Sequence, residues 1–181
     1  MPTLIIMRHS LTVANERGIL MGSKFNSPIS EKGKELARAK ALLLKKEGLI
    51  PEKVYVSKLL RTKQTAEIIL EELRLDIEIV ELEGLNERDF GKYDGKPIQE
   101  LRDGFNKFGP NPYTVEVVDH FVNRVVTCLQ QIKSETKQSN LIVTHSNSLN
   151  VMRASLFDPK KLQRYWEKST PDYCEGFTYI F

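Results

Sequence analysis

Leu4-Ile5-Ile6-Met7-Arg8-His9-Ser10 is an apolar run that stops on an arginine and a histidine. Four apolar residues followed at once by the small polar loop Ser10-Leu11-Thr12 read as a buried parallel strand, covered on both faces, that delivers side chains at its carboxyl end. In open α/β sheets that edge is where ligands bind. The pattern recurs at Leu141-Ile142-Val143-Thr144-His145-Ser146, so two of the chain's three histidines stand at strand ends. A lone histidine there reads as a satisfied core imidazole; two in matching contexts, one beside an arginine, point to a shared site.

Working outward, Thr12 to Ser27 is a polar loop. Ser30 caps a helix over Glu31 to Glu47 with Leu36, Ala39, Leu43 and Leu44 on one face, and Gly48 closes it. Val54 to Val56 is a second strand. Ser57 then caps a helix to about Leu73 that turns Leu59, Ala66, Ile69, Leu70 and Leu73 inward. Ile77 to Val80 is a third strand, followed by the polar loop Gly84 to Gly91, and a helix starts near Pro97. Asp103 to Thr114, with Gly104, Gly109, Pro110 and Pro112 among Phe105, Phe108 and Tyr113, reads as a structured loop, either a lid or a core cap. Val117 to Ile132 is a strong amphipathic helix; His120 lies off its apolar stripe and reads as structural or exposed. Leu149 to Leu156 and Lys160 to Trp166 read as helical, and Phe177 to Phe181 as a last edge strand. Alternating strands and helices predict one domain over residues 1–181, a three-layer α/β/α sandwich around a mostly parallel sheet.

With 181 residues, 40% of them hydrophobic, the chain can bury a core without disulfides or structural metal. Its formal charge of +3 is spread along the helices among acidic residues, which gives no nucleic-acid stripe. Cys128 and Cys174 lie far apart, form no C-x-x-C pair and read as packing residues in a reducing compartment. No apolar run approaches a membrane span and no charged-then-apolar leader precedes the first strand, so the expectation is a cytoplasmic protein with no membrane partner. Oligomeric state stays open, a homodimer included.

Arg8, His9, Arg61 and His145, gathered at one sheet edge, would surround a point with two fixed and two titratable positive charges. Arg61 sits in the first turn of its helix, where free amides and the dipole already favour an anion; the alternative is a solvated arginine beside Lys58 and Lys63. A compact dianion such as phosphate suits that density. A metal does not: guanidinium groups repel it and the ligands on offer are too few. Phosphoryl transfer needs a nucleophile, charge stabilisation and a proton for the leaving oxygen. A neutral imidazole attacks when a carbonyl holds its other nitrogen protonated, and His9 beside Arg8 fits that role. The Glu87-Arg88-Asp89 loop is the best source of a carboxyl acid, with Glu87 first and pairing of Glu87 with Arg88 the competing reading.

Arg8-His9, Ser57 to Ala66 with Arg61 and Gln64-Thr65-Ala66, Leu85-Asn86-Glu87 to Gly95, and Thr144-His145 together resemble the histidine phosphatases, or phosphoglycerate-mutase-like proteins, in order along the whole chain. The resemblance implies an α/β/α fold, His9 as the phosphorylated nucleophile, Glu87 as proton donor, and Arg8, Arg61 and His145 binding the phosphoryl group. It also implies that Asn15, matched with Thr12 in the Arg-His-x-x-Thr-x-x-Asn pattern, lines the phosphate pocket. Three positions depart from the pattern: Ser10 and Ser146 replace glycines, and Asn26 stands where aspartate is common. Ser10 would add a side chain where backbone meets ligand. Mutases of this resemblance carry a long insertion between the residues matching Glu87 and His145, and this chain has a compact connection. The expectation is a metal-independent, cofactor-free phosphomonoesterase acting on a small phosphorylated metabolite. A cofactor-dependent phosphoglycerate mutase and a non-catalytic phosphate-binding scaffold are the alternatives.

Overall fold

A computed structural model describes every residue except Tyr113. Tyr113, named above with the aromatic cover, lies outside the described residues. Five strands, β1 (Thr3–Arg8), β2 (Lys53–Val56), β3 (Ile79–Glu81), β4 (Ser139–Thr144) and β5 (Gly176–Ile180), form one sheet in the order β3-β2-β4-β1-β5. All pairings are parallel except that of the edge strand β5 with β1. The helices are α1 (Val13–Glu16), α2 (Glu31–Lys46), α3 (Leu60–Leu73), α4 (Ile98–Phe108), α5 (Val118–Glu135) and α6 (Ser146–Phe157).

Strand alternation divides the core into two layers. Leu4, Ile6, Tyr55 and Ile142 pack against Phe121, Val125, Leu129 and Ile132 of α5 and Val151 and Met152 of α6. Ile5, Met7, Val54, Val56, Leu141 and Val143 face Ala37, Ala41 and Leu44 of α2 and Ala66, Ile69 and Leu70 of α3. The molecule is therefore an α/β/α sandwich. Its register sets Arg8 opposite Thr144, so β1 and β4 end side by side and His9 and His145 leave the sheet together.

Several expectations are corrected. On α2 the buried face is Gly33, Ala37, Ala41 and Leu44, while Leu43 is 51% exposed. The helix approaches too closely for large side chains: a Cβ on Gly33 would stand 2.0 Å from the Leu11 carbonyl oxygen. The first half of the supposed Asp103–Thr114 loop is the end of α4, and Gly104 sits inside the helix because the Tyr93 hydroxyl packs where its Cβ would be. The polar loop after β1 contains α1, capped by Thr12 and Asn15 bonding reciprocally. The cap residue of α3 is Leu59, not Ser57, although the Ser57 hydroxyl accepts the Leu59 N–H. α6 begins at Ser146, directly after His145. The helical segment expected at Lys160 to Trp166 is present as a 3-10 helix over Pro159–Glu167, with a break at Arg164. His120 is exposed.

A third apolar cluster stands apart from the sheet: Leu20, Phe90, Tyr93, Leu101 and Val115, with Phe105 against it. Phe105 thus belongs to a cap with its own small core, whereas Phe108 is 57% exposed. Arg88 clamps this cap. Its guanidinium donates to the carbonyls of Pro110 (2.7 Å) and Glu116 (2.7 and 2.9 Å), to Asn111 Oδ1 (3.2 Å) and to the Tyr165 hydroxyl (3.4 Å).

Candidate active site

A cavity of about 190 Å³ lies between the carboxyl ends of β1 and β4 and the cap. Arg8, His9, Asn15, Glu87, Ser146 and Asn147 form its polar floor. Of the residues expected at a site, four therefore line one space. Arg61 and His145 are fully buried and stand in the wall behind His9, whose ring centroid is 5.2 Å from that of His145.

His9 Nδ1 lies 2.7 Å from the Ser10 carbonyl oxygen. A carbonyl can only accept, so Nδ1 carries the proton and Nε2 keeps its lone pair. Burial, with Arg61 and Arg8 nearby, holds the imidazole well below the usual histidine range, so it is neutral at neutral pH. This is the state in which imidazole is a nucleophile.

His145 is fixed in the opposite tautomer. Its Nδ1 accepts from Arg61 Nε at 3.1 Å, so Nε2 carries the hydrogen and donates to Ser57 Oγ at 2.8 Å. Burial and the adjacent Arg61 keep this ring neutral as well. Ser57 in turn shares a 2.8 Å hydrogen bond with Thr62 Oγ1. The remaining Arg61 nitrogens donate to carbonyls of Phe25 (3.2 Å), Gly22 (3.0 Å) and Met21 (3.4 Å). Burial lowers Arg61 to about 10, which leaves it charged at neutral pH. Arg61 is thus neither solvated nor on the cavity surface: it holds the first loop and orients His145.

Arg8 donates through Nη1 to the Pro171 carbonyl at 2.7 Å, and its guanidinium stacks over Tyr173 at 4.0 Å. Its buried Nε has no hydrogen-bond partner among the described residues. Arg8 lines the cavity, and an anion there would pair with its charge. Asn15 Oδ1 accepts from the Thr12 N–H (3.3 Å) and hydroxyl (3.0 Å), which leaves the amide nitrogen as the group to offer the cavity.

Glu87 is 4% exposed. Its Oε1 accepts the Arg88 N–H at 2.9 Å and its Oε2 the Asn147 N–H at 3.2 Å, in the first turn of α6. Burial raises its carboxyl above the usual range, with those two N–H groups and Arg61 opposing. The Arg88 side chain does not pair with it, being spent on the cap. Asp89, the other carboxylate of the loop, is bound to Lys24 at 2.6 Å and lies outside the cavity lining.

The departures from pattern divide. The Ser10 hydroxyl points away from the cavity, donating to the Gly33 carbonyl at 2.6 Å, so it ties β1 to α2 instead of tightening the pocket. Ser146 does line the cavity. Asn26 Oδ1 accepts the Leu60 N–H at 3.2 Å and thereby caps α3. Sequence reading missed Ser57 as the anchor of His145 and Arg88 as the clamp of the cap. Both act across long separations and carry no local signal.

The "Putative phosphoserine phosphatase 2" of Hydrogenobacter thermophilus is 32% identical over 163 residues, covering 84% of this chain and 77% of that protein. The 2,3-bisphosphoglycerate-dependent phosphoglycerate mutase of Parvibaculum lavamentivorans is 37% identical over 105 residues, 57% of this chain and 50% of the mutase; the chain spans about half the length of that relative. Among solved structures, a phosphoglycerate mutase from Bacillus anthracis superposes with a TM-score of 0.83 at 20% identity, covering 98% of this chain and 86% of that one, a likeness of fold. The sequence profile of the histidine phosphatase superfamily, branch 1, matches residues 4–175, and the chain belongs to that superfamily.

Proposed function

We propose that the chain is a metal-independent phosphomonoesterase that works through a phosphohistidine at His9. The observation that carries this reading is the His9 tautomer: Nδ1 pinned to the Ser10 carbonyl, Nε2 unprotonated at the floor of a cavity that also holds the buried carboxyl of Glu87.

In the first step Nε2 attacks phosphorus, the P–N bond forms as the ester P–O bond breaks, and Glu87 gives its proton to the leaving oxygen. In the second, water attacks the phosphohistidine, Glu87 takes a proton from it, and the P–N bond breaks to release phosphate and neutral His9. Arg8 and the Asn15 amide, which line the cavity, are the donors for the phosphoryl oxygens. Arg61 contributes its charge from behind His9 and orients His145; bonding the phosphoryl group directly would require it to exchange its loop carbonyls.

Hydrolysis is favoured over mutase action by the cap. A mutase must hold a bisphosphorylated intermediate away from water. Here the lining residues Ile98 and Trp166 are 42% and 40% exposed, which supports a cavity open to solvent rather than sealed from it. Given 3-phosphoglycerate and a trace of 2,3-bisphosphoglycerate, the protein should form little 2-phosphoglycerate while releasing phosphate from small phosphomonoesters, and a chelator should leave the rate unchanged. Rapid 2-phosphoglycerate formation without phosphate release would establish the mutase alternative.

A further inference from the structure

The cavity lining is chemically mixed. Besides its polar groups it includes Leu20, Met21, Ile98, Leu101, Phe105 and Trp166. Leu20, Met21 and Leu101 are buried, while Ile98 and Trp166 leave apolar surface in water that a bound molecule would cover. Beyond Arg8, the only cation among the described lining residues is Arg88. All three of its guanidinium nitrogens are already bonded to carbonyls, an amide oxygen and a phenol of the cap and its neighbours. A carboxylate on the leaving group would give up its hydration to meet a guanidinium that the cap already engages through all three nitrogens, so pairing with it would have to compete with those bonds. An alkyl or aryl group there would bury apolar surface on both sides.

We propose that this cavity selects phosphomonoesters with an uncharged, apolar leaving group over phosphorylated carboxylic and amino acids. The inference rests on the hydrolase reading for turnover, but its recognition half stands on the lining alone. The volume, about 190 Å³, equals the share of roughly six liquid waters and accommodates a phosphoryl group with a chain of a few carbons or one small ring. This selectivity would separate the chain from relatives named for phosphoglycerate and phosphoserine, both of which carry a carboxylate.

The test is a homologous series. Phosphate release from ethyl, butyl and hexyl phosphate, 3-phosphoglycerate and phosphoserine gives kcat/KM for each, and the matching alkylphosphonates, whose P–C bond cannot turn over, give dissociation constants. Each added methylene should raise kcat/KM and tighten phosphonate binding about fourfold until the cavity is filled. The two carboxylated esters should lie at least about tenfold below butyl phosphate, by the discrimination one unmatched group gives. In Ile98→Lys, a substitution in the lining, the hexyl advantage should shrink and 3-phosphoglycerate should gain. A chain-length series that is flat in both readouts, or a preference for 3-phosphoglycerate, overturns the proposal. Phosphonates that tighten with length while no ester releases phosphate would instead uphold the recognition and overturn the hydrolase reading.

Discussion

Glu87→Gln separates proton donation from every other role of that side chain. Glutamine has nearly the same volume and keeps one carbonyl oxygen for the Arg88 N–H that Oε1 accepts at 2.9 Å. It loses the acidic proton, and its NH2 group replaces Oε2 opposite the Asn147 N–H. General acid catalysis contributes about 10²- to 10⁴-fold, or roughly 3–5 kcal/mol at 1.36 kcal/mol per decade. The carboxyl is buried, raised above its usual range and on the cavity floor, so the full range applies to an alkyl phosphate, whose leaving oxygen departs poorly without a proton. A nitrophenyl ester departs readily as the anion, and its loss should stay below about tenfold, since the acid term is then absent. The assay is single-turnover phosphate release on both esters, with far-UV circular dichroism to confirm the fold. Equal losses on the two esters would refute the acid role and reassign Glu87 to binding or packing.

Other outcomes follow from the same network. Ser57→Ala strands the buried His145 Nε2–H at a cost of about 1–3 kcal/mol, so urea unfolding should shift by that amount. kcat should fall while Ser57→Thr, which keeps the acceptor, restores most of it; an Ala variant with unchanged stability and kcat would remove Ser57 from the account. For pH, His9 and His145 titrate well below their unfolded value, so the unfolded state binds protons more tightly, and stability present above about pH 6.5 falls as the medium is acidified. Two such groups give a slope of up to about 2.7 kcal/mol per pH unit, opposed at lower pH by Glu87, whose raised carboxyl favours the protonated folded state. Denaturant unfolding between pH 7 and 5 measures it, and a flat profile would show that the imidazoles are not held neutral.

The sheet and the two histidines were legible because their signals are local. A four-residue apolar run that stops at Arg8-His9, and its counterpart at Thr144-His145, report burial and strand ends without reference to the rest of the chain. The sandwich layers followed from the same alternation, Leu4 and Ile6 to one side and Ile5 and Met7 to the other. What escaped depends on distant partners. The inner face of α2 is marked by Gly33, Ala37 and Ala41 with Leu44, and not by Leu43, because the helix approaches the Leu11 backbone too closely at Gly33 for large side chains. Gly104 looks like a helix breaker until Tyr93 is placed against it. Ser10 and Ser146 are chemically alike after their histidines, yet one donates into the scaffold and the other lines the cavity, a difference set by where α2 and α6 begin. Arg61 stands behind His9 and off the cavity surface, and its bonds to His145 and the carbonyls of Met21, Gly22 and Phe25 make it a scaffold for the histidine, which its place in the first turn of α3 does not signal.

The central claim is that His9 Nε2 becomes phosphorylated. Rapid quench in alkali of protein mixed with a ³²P-labelled phosphomonoester, followed by peptide mapping, tests it directly, because a phosphohistidine survives base and is lost in acid. The account predicts base-stable, acid-labile label on the peptide containing His9, formed as fast as the leaving alcohol appears and absent in His9→Asn. Label that is acid-stable, or that persists in His9→Asn, would contradict it.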